Sequence, residues 1–447
     1  MNTSTLSSAA VTDAPTLPPA GSSSGGRFAR LPQLAGRSFL PIGLFARLPL
    51  AMLTIGALTL VTAVTGSYAI GGAAAGAVGI GSAIGSPVLG YLADRLGQRG
   101  VLLVAAVFNT IAIVGLILAA YGIPGGPDLS AAVPVLAAAF IAGASSPQVG
   151  PLARVRWMAL TSRGGATNSG AANNDLDTAL SYESTADELT FVLGPALVGI
   201  LASLVTPWLP LALAAALTLT LVPAFAVHPT HAVVPPAPAR SKPGSERAAA
   251  DAGGPVRSRI ASTAAVALPV LAMVCMGSFF GGTQAALSSF SAGVATSEVA
   301  GLLYSVMGLS SAAAALSVAY WSRRFTVQAR WVACAALMIG LASLLLLPTT
   351  ALSMIVVLLF LGLPVGPLMV TVFAIGGAVA PAAKLGTVMT ALASGIVAGQ
   401  ALGSSVAGRL AEDHGSTAAF LVSVCAAAGL FLLGAAAAAV IRRRNPA

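Results

Sequence analysis

Long apolar runs alternate with short polar punctuation from one end of the chain to the other. A hydrocarbon core of about 30 Å takes about 20 helical residues to cross. Twelve runs of that scale can be marked, at residues 40–64, 68–92, 101–121, 131–152, 188–205, 208–227, 264–290, 299–320, 331–348, 352–379, 386–410 and 418–441. Four kinds of polar segment separate them. Residues 1–38 are rich in Ser, Thr, Ala and Pro, lack the basic and apolar regions of a signal peptide, and predict a disordered tail. A stretch at 153–187 reads as a polar loop, and 228–260 as a Pro-rich linker. The remaining gaps are turns, and no gap is long enough for a catalytic domain.

Composition explains why the runs are so long. The 447 residues are 57% apolar and 8% charged, with a mean hydropathy of +0.91, whereas an average soluble domain is about 25% charged. Such a surface would aggregate in water, so most of it faces lipid. The net charge of +9 would suit nucleic acid if the bases formed one patch, but they fall between the apolar runs. Cys275, Cys334 and Cys425 lie inside those runs, which leaves neither a disulfide framework nor a metal-ligand spacing.

The bases also test the number of spans, because cytoplasmic loops collect Lys and Arg. With the N-terminus inside, they group as Arg27, Arg30, Arg37 and Arg47; Arg95 and Arg99; Arg154, Arg156 and Arg163; the bases of 240–259; Arg323, Arg324 and Arg330; Lys384; and Arg442 to Arg444. About 21 of the 22 then fall on one side, with Arg409 toward the other. Twelve spans with both ends cytoplasmic is the expectation.

An internal duplication emerges when run n is laid over run n+6. Val149-Gly150-Pro151-Leu152 returns as Val365-Gly366-Pro367-Leu368, and Leu193-Gly194 with Gly199 returns as Leu402-Gly403 with Gly408. Ala75-Gly76 matches Ala300-Gly301. The predicted domains are therefore a tail at 1–38, a six-helix bundle at 39–227, a linker at 228–260 and a second six-helix bundle at 261–444.

Between the second and third runs stands Gly90-Tyr91-Leu92-Ala93-Asp94-Arg95-Leu96-Gly97-Gln98-Arg99. Gly97 suits a tight turn, and Asp94 sits at the membrane edge among bases with which it could pair. This segment resembles the signature loop of the major facilitator superfamily. The resemblance implies an all-α membrane protein of twelve transmembrane helices in two pseudo-symmetric bundles. It also implies a conformational latch of Gly90, Asp94, Arg95, Gly97 and Arg99, with Asp94 docked on the N-terminus of the eleventh span. Gln98 stands where the family usually has a base. The equivalent turn of the second half, Ala319-Tyr320-Trp321-Ser322-Arg323-Arg324, has lost its Asp, so the latch should be one-sided. Gly194-Pro195 with Gly199 resembles a degraded form of the family's antiporter motif, a helix kink lined by small residues.

Ionisable groups near a membrane interior are functional candidates, since burying charge is costly. Here Asp187, Glu188, Glu183 and Arg47 are the proton-coupling candidates. The competing reading puts the acids at a helix N-terminus, paired with Arg154 or Arg156 at the surface, while Arg47 snorkels to the interface. Gln148, Gln284, Asn109 and Gln400 are neutral polar groups within spans, expected either to face a substrate cavity or to bond between helices. Gly81 to Gly85 reads as a packing seam.

No phosphate-binding loop precedes Lys242 or Lys384, and His228 and His231 in the linker lack thiol partners, so neither an enzyme, a cofactor nor a metal site is expected. The expected partners are the lipid bilayer, protons and a small-molecule substrate, with the chain a monomer in the cell membrane and no nucleic acid bound. The reading is a proton-coupled efflux transporter of small hydrophobic or amphipathic compounds working by alternating access. Uptake by symport, or a sensor or scaffold that kept the fold, are the alternatives.

Overall fold

The computed structural model describes residues 26–122, 132–163, 169–236, 256–294, 299–322 and 324–444. Most of the predicted tail and of the 228–260 linker, with Arg240, Lys242 and Arg247, lies outside the described residues, as does Arg323.

Every major element is helical. A short 3-10 turn at Arg27–Arg30 leads into α1 (Leu31–Ala35), α2 (Phe39–Phe45), α3 (Leu48–Thr65), α4 (Tyr68–Leu96), α5 (Gln98–Tyr121), α6 (Val133–Ala144), α7 (Val149–Arg163), α8 (Ser169–Leu204) and α9 (Leu209–Val227). The second half holds α10 (Val256–Val294), α11 (Val299–Ser317), α12 (Val327–Ser343), α13 (Ala351–Val379) and α14 (Leu385–Arg444). The ends follow local chemistry. Ser67 accepts a hydrogen bond from the Ile70 backbone N–H at the start of α4, and Thr350 forms a capping box with Ser353 at the start of α13. Gly97, at φ +89°, turns α4 into α5 in a conformation that costs an L side chain strain.

Eleven stretches among the described residues are long and apolar enough to cross a membrane. The last covers 58 residues and joins what the sequence reads as two runs. Gly415, at φ 82° and ψ 177°, breaks it between them. Each arm of α14 is about 30 residues, about 45 Å at 1.5 Å per residue, enough for its own crossing.

Two expectations are corrected here. The stretch at 153–187 is not a polar loop. α6 breaks at 145–148 and resumes as α7 through Arg163, and α8 begins at Ser169 rather than at 188. Hydropathy fell there because buried charges of opposite sign face one another, which lowers the apolar average without ending a helix. Arg154 and Arg156 are 0% exposed, so they are not loop charges to be counted on one side of the membrane.

The apolar interior is divided. One core joins residues of α10 to α14 with Val155 of α7, three smaller ones join residues of the first nine helices, and a fifth ties Leu180 of α8 to Ala315, Val318 and Val370. Glycine lets the helices within each half meet at backbone distance. A Cβ at Gly81 would lie 2.1 Å from the Phe140 carbonyl oxygen, and one at Gly399 2.0 Å from that of Val274. The halves meet mainly where α4 packs on α14 and α8 on α11.

Candidate functional site

Asp94, near the end of α4, reaches across to the other half. Its carboxylate accepts hydrogen bonds from the Gly386 backbone N–H (2.8 Å) and from the Thr387 backbone N–H and hydroxyl (both 2.7 Å). These are the first turn of α14, where unpaired N–H groups and the helix dipole favour an anion. The approach needs Gly90, because a Cβ there would lie 2.0 Å from Thr390 Oγ1. The bases beside Asp94 do not pair with it among the described residues. Arg95 instead lies over the Tyr91 ring at 5.0 Å, and Arg99 is exposed. Gln98 is 3% exposed, and its Oε1 accepts from Arg156 Nε at 2.8 Å. Arg156 also donates to the Phe225 carbonyl (2.8 Å) and Thr230 Oγ1 (3.0 Å) and stacks on the Phe225 ring at 4.0 Å. A base at position 98 would meet that buried guanidinium, so glutamine fits where charge would repel.

The second cluster lies inside the first half. Arg47 stands at the break between α2 and α3, 6% exposed, and forms an ion pair with Glu183 and a second with Asp187 at 3.2 Å. Asp187 also holds Arg154 of α7 at 2.7 Å. Trp157 Nε1 donates to Glu183 at 2.7 Å. Two acids thus balance two bases with little water nearby. Gly150 makes the space, since a Cβ there would sit 3.2 Å from Asp187 Oδ1 and 3.4 Å from Arg47 Nε. The expected pairing of an acid with Arg154 is present, but the snorkelling of Arg47 and the placement of the acids at a helix N-terminus on the surface are corrected. Glu183 and Asp187 lie in the middle of α8 and bury their partners with them.

The cluster is tied to the second half at two points. The Arg154 guanidinium carbon lies 3.9 Å from the centre of the Phe373 ring on α13, a cation–π contact. Glu188, 5% exposed, points away from the arginines and accepts from Ser311 Oγ of α11 at 2.8 Å, one turn from Thr185, whose hydroxyl donates to the Ala312 carbonyl (3.1 Å). No cation pairs with Glu188 among the described residues.

The neutral candidates scatter. Asn109 is buried and donates to the Ala142 carbonyl (2.6 Å) and Ser145 Oγ (3.2 Å), joining α5 to α6. Gln148 is buried in the break between α6 and α7, donating to the Ser146 carbonyl (2.8 Å). Gln400 Nε2 donates to Gln284 Oε1 at 3.4 Å, and Gln284 is exposed. In α8, Gly194 sits against α3, where a Cβ would lie 2.7 Å from that of Ala51, and the helix continues through Pro195. Gly199 has open space. Arg154 enters the sequence reading only as a loop base and an alternative partner of the acids, and Trp157, Gly150 and Phe373 do not stand out there as a site. Their signal was the base-rich, Trp-containing run 154–157, which read as loop.

Eleven apolar helical stretches among the described residues, each long enough to cross a membrane, define a multi-pass membrane protein. The chain matches the Major Facilitator Superfamily over residues 39–392, and it belongs to that family. Solved structures agree in fold. A human organic anion transporter, MFSD10 (TETRAN), is 19% identical, with 89% of this chain and 98% of that chain covered and a TM-score of 0.65. A bacterial homologue of the iron transporter ferroportin in an outward-facing state is 14% identical, with coverage of 90% and 98% and a TM-score of 0.65. The E. coli fucose:proton symporter FucP is 16% identical, with coverage of 90% and 99% and a TM-score of 0.60. No curated protein matches the chain.

Proposed function

We propose that the protein is a secondary active transporter that extrudes small hydrophobic or amphipathic compounds in exchange for protons, its two six-helix bundles at 39–227 and 261–444 rocking about a site between them. In this reading the chain crosses the cell membrane twelve times as a monomer with both ends cytoplasmic, and the Asp94 end faces the cytoplasm and is closed. The Gly194-Pro195 step of α8 and the sparse charge outside the one cluster support efflux of apolar solutes.

The observation that carries the reading is Glu188. Buried at the seam between the halves, it is held by a hydroxyl of the opposite half and has no cation partner among the described residues. A proton arriving there removes a charge, and parting from Ser311 accompanies separation of the halves. A group that titrates as the seam opens couples proton movement to conformation. Asp187 and Glu183 stay paired with Arg47 and Arg154 within the first half.

The test is extrusion from proteoliposomes with and without an imposed proton gradient, across a panel of amphipathic dyes. Wild type should extrude only with the gradient. Glu188→Gln should lose at least tenfold of the gradient-driven rate yet insert and purify normally. Accumulation in the direction of proton flow would show symport instead, and unchanged extrusion by Glu188→Gln would remove that residue from coupling.

A further inference from the structure

The turn between α11 and α12 has no acid to match Asp94, yet the structure joins the two halves on that side as well. The 3-10 turn at Arg27–Arg30, which precedes the first span, lies against the 3-10 turn at Val318–Tyr320 that ends α11. Arg27 donates to the Ala319 carbonyl, its guanidinium lies 5.5 Å from the centre of the Tyr320 ring, and the Phe28 and Tyr320 rings are 6.1 Å apart. One turn on, Arg30 pairs with Asp175 of α8 at 3.2 Å, and Leu31 (1% exposed) and Ala35 (5%) are sunk into the first-half core with Phe39, Trp157 and Phe225. The segment is therefore fixed to the first half by its apolar side and to the second half by its leading residues.

The second half sends one group the other way. Arg330, 4% exposed at the start of α12, is positioned by the Phe325 carbonyl (2.8 Å) and reaches Asp177 of α8 at 3.9 Å. Asp175 and Asp177 thus receive a base from the leading segment and a base from the second half, on the opening turns of α8. The first-half latch puts an acid of the turn on the opening turn of α14. On the other side the signs are exchanged, with acids on the helix and bases on what docks there.

We propose that residues 26–38 form a strap that supplies the second latch, holding the end of α11 against α8 while the Asp94 end is closed. For the end to open, Tyr320 must part from Arg27 and Phe28, so the strap sets how readily the closed state is left. A consequence for transport rests on the alternating-access reading above. The strap itself is tested without any transported compound, so a wrong substrate or ion leaves it standing.

The experiment is a distance measurement between spin labels at Leu96→Cys and Arg324→Cys, one in each half at this end, with Cys275, Cys334 and Cys425 replaced by alanine and the protein in lipid nanodiscs. The short distance should dominate the parent. Arg27→Ala, Phe28→Ala and Tyr320→Ala should each raise the long-distance population at least threefold. Phe28→Ala combined with Tyr320→Ala should add little to either alone, because both remove the same contact. Arg37→Ala, an exposed base of the same segment with no strap contact, should match the parent. Distributions unchanged in all three single variants would overturn the proposal, as would Arg37→Ala opening the end as far as Arg27→Ala. Tyr320→Ala alters the second half alone, so a folding defect of the leading segment does not decide the result.

Discussion

The two halves share a packing plan and differ in chemistry. Gly194 of α8 brings that helix against α3 at Ala51, and its repeat partner Gly403 brings α14 against α10, where a Cβ would lie 2.2 Å from the Ser278 carbonyl oxygen. Gly199 and Gly408 both face open space. At these positions the two halves pack alike. Buried charge has not followed. The first half encloses Arg47, Arg154, Arg156, Asp175, Glu183 and Glu188, whereas Arg330 is the one charged side chain buried in the second half among the described residues. In place of ion pairs the second half buries Met273, Met276, Met307, Met338, Met354, Met369 and Met389. Helix seams are fixed by where a Cβ cannot go, which both halves must obey. Ion chemistry needs only one partner to carry it, and the other half then presents aromatic and hydroxyl groups, Phe373 and Ser311, to the charged face.

The strongest test of that division is one contact between the halves, Arg154 on Phe373. Arg154→Ala leaves two acids facing one buried base, and breaking a buried pair costs 3–5 kcal/mol in other proteins. Asp187 keeps Arg47, so about 3 kcal/mol is expected here, read as a fall in the unfolding midpoint in detergent. Phe373→Leu keeps the pairing and loses mainly the stacking, worth about 1 kcal/mol. Equal losses from the two substitutions would show that the charge is not concentrated in the first half as described.

A finer test uses the repeated glycines. At Gly366 a Cβ would lie 2.1 Å from the Ser311 carbonyl oxygen, so backbone must move. Gly366→Ala should cost about 1–3 kcal/mol. At Gly150 the nearest atoms are side-chain atoms, Asp187 Oδ1 at 3.2 Å and Arg47 Nε at 3.4 Å. They can shift by a few tenths of an ångström, and alanine recovers up to about 1 kcal/mol of helix propensity. Gly150→Ala should therefore stay within about 1 kcal/mol of the parent in the same midpoint measurement. A larger loss at Gly150 than at Gly366 would mean that the ion pairs are the more rigid neighbour.

These features differ in how far they can be read from residues alone. The turn 90–99 is local: Asp94, Gly90 and Gly97 stand within ten residues, and the spacing carries its own geometry. The repeated Gly-Pro pairs are equally visible. The run 154–157 is opaque, because a hydropathy window cannot tell a charge in water from a charge paired with another inside a bundle, and Arg154 meets its partner only when α7 and α8 fold together. Arg47 reads as snorkelling for the same reason. The segment 27–35 reads as tail, since its apolar positions are too few to signal burial without Phe39, Trp157 and Phe225 beside them.

The smallest expected effect lies at the edge of the charged half, where the sequence expected only linker. His228 ends α9 and is 8% exposed, with Nε2 3.1 Å from Ser38 Oγ and Nδ1 accepting from the Thr230 backbone N–H at 3.4 Å. That acceptor role requires a neutral ring. Burial, then the charge of Arg156, then His231 lower its pKa below the ordinary value. The unfolded chain therefore binds the proton more readily than the folded one, and stability is complete above the ordinary value of about 6.5. It declines as pH falls from there toward the lowered folded value, where the folded ring also protonates. The unfolding midpoint of the parent should drop over that window, and His228→Gln should drop less. Parallel midpoint curves for the two proteins would show that protonation of His228 costs the fold nothing, and that the charge of Arg156 is screened before it reaches the end of the helix.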